Sequence, residues 1–105
     1  MAKLIIRKTD NRVRAAFSDA AVIEDHPRRE GRLIIWEPKV GDPNNPYRLA
    51  MSGVQTKDFE VKTGAKELPR DVRVEESSEC LNVTYDEVKD DYTEVPIDES
   101  VIGSN

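Results

Sequence analysis

The chain has 105 residues, the length of one ordinary domain and no more. Apolar residues make up 37% and charged residues 35%, so the core is small and the surface strongly polar. The net charge of −5 opposes polyanion binding unless the charges are segregated, and it hides a sign change: residues 1–65 carry 12 Lys+Arg against 9 Asp+Glu, and residues 66–105 carry 4 against 12.

The apolar residues fall in short blocks between breakers, which argues against a wholly disordered chain. Lys3 to Lys8 predicts a first strand, and Thr9-Asp10-Asn11 a tight turn, because Asp and Asn tolerate left-handed backbone. Arg12 to Ser18 alternates, which places Val13, Ala15 and Phe17 on one face and Arg12 and Arg14 on the other. Ala21 to Glu24 reads as a strand, with a helical turn capped by Asp19 as its alternative. His26 to Gly31 is a polar loop. Arg32 to Glu37 is the strongest strand, and its apolar run Leu33-Ile34-Ile35-Trp36 predicts burial on both faces.

Gly41 to Pro46 is dense in turn residues. Tyr47 to Ser52 follows as a strand, with Tyr47, Leu49 and Met51 alternating against Arg48 and Ala50, and Gly53 suits a bulge or bend. Phe59, Val61 and Thr63 alternate with Asp58, Glu60 and Lys62, a strand with one wet face. Gly64 to Pro69 is a connector. Val72 and Val74, then Leu81, Val83 and Tyr85, continue the alternation around a hairpin loop at Ser77-Ser78-Glu79. Asp86 to Asp91 suits a short helical turn, and Tyr92 to Ile97 a last strand broken by Pro96. Strands at ~8–12-residue spacing predict a mainly β fold, a small antiparallel sandwich or barrel with little helix. Residues 1–97 are expected to form one β-rich domain, with 98–105 a short flexible acidic tail.

No catalytic set is visible. His26 is the single histidine and has no second His or Cys pair to share a metal with. Cys80 is the single cysteine, so no intramolecular disulfide forms, and its neighbours Glu76 and Glu79 carry the wrong sign to activate a nucleophile. Asn82-Val83-Thr84 matches a glycosylation sequon by chance. Paired carboxylates recur at Asp86-Glu87 and Asp90-Asp91, but the alternating calcium-loop pattern is missing, and no metal or cofactor is expected.

Two surfaces stand out as binding candidates. Arg7, Lys8, Arg12, Arg14, Arg28, Arg29 and Arg32 would merge into one basic surface if the first strands lay side by side. Asp86, Glu87, Asp90, Asp91 and Glu94 form an acidic one. The leading expectation is a non-enzymatic protein-binding or assembly module, with a protein partner or further copies of itself. It would suit a structural or accessory component of a larger particle, such as a virion. A single-stranded nucleic-acid binder, with cations on phosphates and rings on bases, comes second. An acidic inhibitor or nucleic-acid mimic comes third. The opening apolar run Leu4-Ile5-Ile6 is far below the ~7–15 residues of a signal-peptide core, and no run approaches a ~20-residue membrane span. No membrane partner is therefore expected, and the cytoplasm, or a particle assembled there, is the expected location.

Overall fold

A computed structural model describes residues 1–75 and 79–96. The strands are β1 (Ala2–Arg7), β2 (Val13–Ser18), β3 (Val22–Asp25), β4 (Arg32–Pro38) and β5 (Tyr47–Gln55). They continue as β6 (Phe59–Ala65), β7 (Val74–Glu75), β8 (Cys80–Leu81), β9 (Val83–Asp86) and β10 (Asp91–Glu94). Every pairing between these strands is antiparallel, and the described residues contain no helix. The fold is the small mainly β arrangement that the strand spacing predicts. The ambiguous stretch after Asp19 is a strand, and the suggested helical turn at Asp86–Asp91 is instead the reverse turn joining β9 to β10. The expected tail at 98–105 and the Ser77-Ser78 part of the hairpin loop lie outside the described residues.

Two three-stranded sheets form the body, ordered β2-β1-β6 and β3-β4-β5. The β1–β2 turn closes as its residues suggest. Asn11 adopts φ 60°, while the Asp10 carboxylate accepts the backbone N–H of Arg12 at 3.2 Å and pairs with Arg7 at 2.6 Å. β1 is buried on both faces: Leu4 and Ile5 are 0% exposed and Ile6 1%. Ile5 packs into one core with Phe17 of its own sheet, Ala21 of the β2–β3 turn, and Leu33, Ile35 and Val54 of the facing sheet. Leu4 and Ile6 pack into a second core with Ala2, Val13, Ala65 and Val83, onto which Leu68, Val72, Leu81, Tyr85 and Tyr92 close. The described part of the acidic third is therefore a covering layer of the folded body. It is fastened to the β1–β2 turn by a bridge between Arg12 and Thr84 and by the Tyr85 N–H donating to the Asn11 carbonyl at 3.1 Å.

Simple alternation fails wherever a strand carries an extra residue. Ile5 faces Ala15 but Ile6 faces Val13, so Arg14 is a bulge. Val13 turns to the second core while Phe17 stays in the first, contrary to the shared face expected from period two. In β5, Leu33 faces Val54 and Ile34 faces Ser52, which makes Gly53 a bulge. Its φ of +82° is the left-handed conformation that glycine allows. Trp36 faces Leu49 but Ile35 faces Met51, so Ala50 is a second bulge. Leu49 consequently shares the outer face with Trp36, and Met51 turns inward with Ile35. The predicted common face for Tyr47, Leu49 and Met51 is thus split. Leu33, Ile34 and Ile35 are buried as expected, whereas Trp36 is only partly so.

Candidate interaction surface

The outer face of the β3-β4-β5 sheet carries an apolar row that opens to solvent at Leu49 and Tyr47. Val22, Trp36 and Leu49 stand in one row across its three strands. Leu49 is 52% exposed and Tyr47 39%. The Trp36 indole N–H donates to the Glu24 carboxylate at 2.8 Å, tying β4 to β3 across this face. Val22, Glu24, Trp36, Asn45, Pro46 and Tyr47 line a shallow cleft of about 320 Å³ on this face. β5 forms one edge of the sheet, since its sole strand partner among the described residues is β4. Of its nine residues, YRLAMSGVQ, Arg48 is the single charge, and it lies 3.4 Å from Glu37 on the neighbouring strand.

The first four strands do not lie side by side, since β1 and β2 are in one sheet and β3 and β4 in the other, and the basic residues picked from the sequence do not merge into one surface. Arg12 and Arg14 turn to the C-terminal layer. Arg12 is 8% exposed, and its Nε donates to the Leu81 carbonyl at 3.0 Å. Arg14 lies 3.5 Å from Glu79. Arg7 is paired with Asp10. Lys8, Arg28, Arg29 and Arg32 gather at one end of the body. There the β5–β6 turn accepts the Lys8 N–H at Asp58, and the Thr56 N–H donates to Gly31. Lys57, on that same turn, joins them and escaped the sequence reading. Asp25, Glu30 and Asp58 are interspersed. His26 belongs to the loop itself: its Nδ1 accepts the Arg28 N–H at 3.1 Å.

The acidic candidates mostly fasten the β9–β10 hairpin. Asp86 accepts the N–H of Val88 at 3.0 Å, and Glu87 bonds the Lys62 ammonium at 2.5 Å. That bond, ahead of the other causes, holds the Lys62 ammonium above its ordinary pKa. Asp90 accepts the Tyr85 phenol at 2.7 Å and the Lys66 N–H at 2.8 Å, and both bonds hold its carboxyl below the usual range. Asp91 accepts the Tyr92 N–H at 2.9 Å and lies 3.3 Å from the Lys66 ammonium, which lowers its carboxyl likewise. Glu94, opposite Val83, is exposed. A cleft of about 470 Å³ beside this hairpin is lined by Asp10, Glu60, Lys62, Tyr85, Asp86 and Glu87 among others. Among the described residues no three His, Cys, Asp or Glu side chains are grouped to hold a metal ion.

No family model, curated protein or solved structure matches this chain. The surface chemistry alone carries the functional reading. Cys80 is fully buried in β8. Asn82 of the sequon is 2% exposed; its side-chain oxygen accepts the Arg73 N–H at 2.8 Å, so it is a structural staple. No helix of the described residues is long and apolar enough to cross a membrane.

Proposed function

We propose that this chain is a non-enzymatic protein-binding or assembly module that works through the β3-β4-β5 sheet, as a structural or accessory part of a larger particle such as a virion. The observation that carries the reading is the nine-residue edge strand β5, with Tyr47 and Leu49 exposed and one charge along its length. Edge strands of folded proteins are normally protected by charge, proline, bulges or cover, because their open backbone groups pair with other chains; β5 is bulged at Ala50 and Gly53, which leaves its Tyr47–Leu49 end as the open stretch. The cytoplasm, or a particle assembled there, is the proposed location.

The other readings have less behind them. A single-strand nucleic-acid binder needs rings beside its cations. Phe17 is in the core, and Trp36 and Tyr47 sit towards the Pro38–Tyr47 end of the sheet, away from Arg28, Arg29 and Arg32 at its other end. An acidic mimic needs free carboxylates, and Asp86, Glu87, Asp90 and Asp91 are engaged within the chain.

The test compares wild type with Leu49→Lys, which puts a charge on the edge. Sedimentation velocity reads self-association, and immobilised protein reads capture of other proteins from the cells that make it. Self-association or capture that the variant abolishes is the expected result. If the wild type neither associates nor captures anything sensitive to Leu49→Lys, the reading is wrong.

A further inference from the structure

The ladder between β4 and β5 determines which backbone groups of the edge are open. Pro38 stands opposite Tyr47 and has no N–H, while the Lys39 N–H donates to the Pro46 carbonyl at 2.6 Å. Bonded and non-bonded pairs alternate in an antiparallel ladder. Lys39–Pro46 is therefore a bonded position, Pro38–Tyr47 a non-bonded one, Glu37–Arg48 bonded and Trp36–Leu49 non-bonded. It follows that the N–H and C=O of Tyr47 and Leu49 point away from β4, into the open edge, and those of Arg48 point inward.

We propose that β5 pairs antiparallel with β5 of a second copy of this chain, about a two-fold axis at Leu49. This rests on the assembly reading above and names its partner. Identical strands paired antiparallel are self-complementary, as a two-fold interface requires. The charge decides the register. An axis at Arg48 would oppose two guanidinium groups, and like charges directly opposite are unfavourable. An axis at Tyr47 would set Leu49 opposite Asn45, which lies before the strand and already donates its N–H to the Asp42 carbonyl. An axis at Leu49 sets Arg48 against the uncharged Ala50–Met51 bulge of the other copy. It also joins the row Val22, Trp36 and Leu49 to its own copy, so that one apolar row crosses a continuous sheet of both chains. The exposed Leu49 side chain is then covered by its own counterpart. The bulge at Ala50 makes Ile35–Met51 a bonded pair, so the Met51 groups face β4 and the backbone pairing between copies is confined to Leu49 and its counterpart, with the joined apolar row supplying the rest of the contact.

The experiment uses the full chain and three variants, with circular dichroism to establish that each folds. Sedimentation equilibrium from micromolar to millimolar concentration measures self-association of wild type and Leu49→Lys. Leu49→Cys tests the axis: a bonded antiparallel pair holds Cα atoms about 5.5 Å apart, within disulfide reach. Lys57→Cys, on the β5–β6 turn, is the control, and the buried Cys80 is common to all. The expected result is a wild-type dimer weakened at least tenfold by Leu49→Lys. Mild oxidation should also give a covalent dimer of Leu49→Cys that Lys57→Cys does not give. A chain that stays monomeric throughout overturns the pairing, and leaves the assembly reading to the capture measurement. A dimer indifferent to Leu49→Lys, with no Leu49→Cys cross-link, overturns the pairing while the assembly reading survives. Should Leu49→Lys fail to fold, the contrast between the two cysteine variants still decides.

Discussion

The Tyr85 phenol donates to the Asp90 carboxylate at 2.7 Å, closing the β9–β10 turn with a side-chain bond between its two flanks. The bond stabilises the neutral phenol and the charged carboxylate together, and so moves both titrations outward. Tyr85 is pushed up to about 12, with the hydrogen bond to Asp90 the largest cause and burial the next. Asp90 is held below its ordinary 3.8, chiefly by the same bond.

The pH dependence of the hairpin follows. The Tyr85 contribution is complete below the ordinary phenol value of 10.0 and disappears as pH rises through about 12. The Asp90 contribution is complete above 3.8 and disappears as pH falls through its lowered folded value. Amide exchange across β9 and β10 should therefore quicken at both extremes in wild type. In Tyr85→Phe the two steps should shrink together. Superimposable pH profiles for the two proteins would show that this bond does not hold the hairpin.

Asn82 links three segments. Its backbone N–H donates to Arg73 at 2.8 Å, its side-chain oxygen accepts the Arg73 N–H, and its carbonyl accepts the Val95 N–H at 2.7 Å. Asn82→Ala leaves the Arg73 N–H without that acceptor, at an expected cost of about 1–3 kcal/mol in urea unfolding. A loss below about 0.5 kcal/mol, the size of an ordinary surface change, would contradict the staple.

The two cores make separate demands. Leu4→Ala hollows one and Ile35→Ala the other, each side chain being 0% exposed. Each should cost about 2–5 kcal/mol. Both should lower the unfolding midpoint of the whole chain, because β1 contributes to both cores. Two resolved transitions in either variant would be evidence that the cores melt independently.

Gly53 tests the bulge that turns Val54 inward. A methyl group there would meet the Arg32 guanidinium at 3.6 Å, an ordinary contact with the end of a flexible side chain. The cost of Gly53→Ala is therefore conformational, about 1–2 kcal/mol for a left-handed alanine. An unchanged denaturation midpoint would mean that β5 can abandon its bulge without loss.

Strand positions and the antiparallel, mainly β character were readable because breakers fall between short apolar blocks. What the alternation could not supply was facing. Val13 and Phe17 read as one face until Arg14 bulges between them, and Leu49 and Met51 part company at Ala50. A bulge at a residue such as Ala50 leaves no mark in sequence, whereas Gly53 does. The basic residues part for a topological reason, with Arg12 and Arg14 turned to the C-terminal layer and Lys8, Arg28, Arg29 and Arg32 kept at one end: nothing in the residues of β1 to β4 says that they belong to two sheets. The acidic excess proved largely structural through partners far along the chain, such as Lys62 for Glu87. The edge of β5 was visible in hindsight as an uncharged stretch, LAMSGVQ, inside a highly charged sequence.

β1 takes its partners from distant parts of the chain: Ala2 lies opposite Ala65, and Val83 packs in the core of Leu4 and Ile6. The most buried strand can therefore be completed only after long loops have closed, and loop closure must be met before such contacts reward it. Until β6 and the C-terminal layer arrive, Leu4, Ile5 and Ile6 stand as an uncovered β-prone segment. The β4–β5 and β3–β4 hairpins need only local contacts and can form beforehand. Folding should accordingly belong to the slow, millisecond-to-second class of small β proteins, and its vulnerable interval is the one in which β1 waits for its second face.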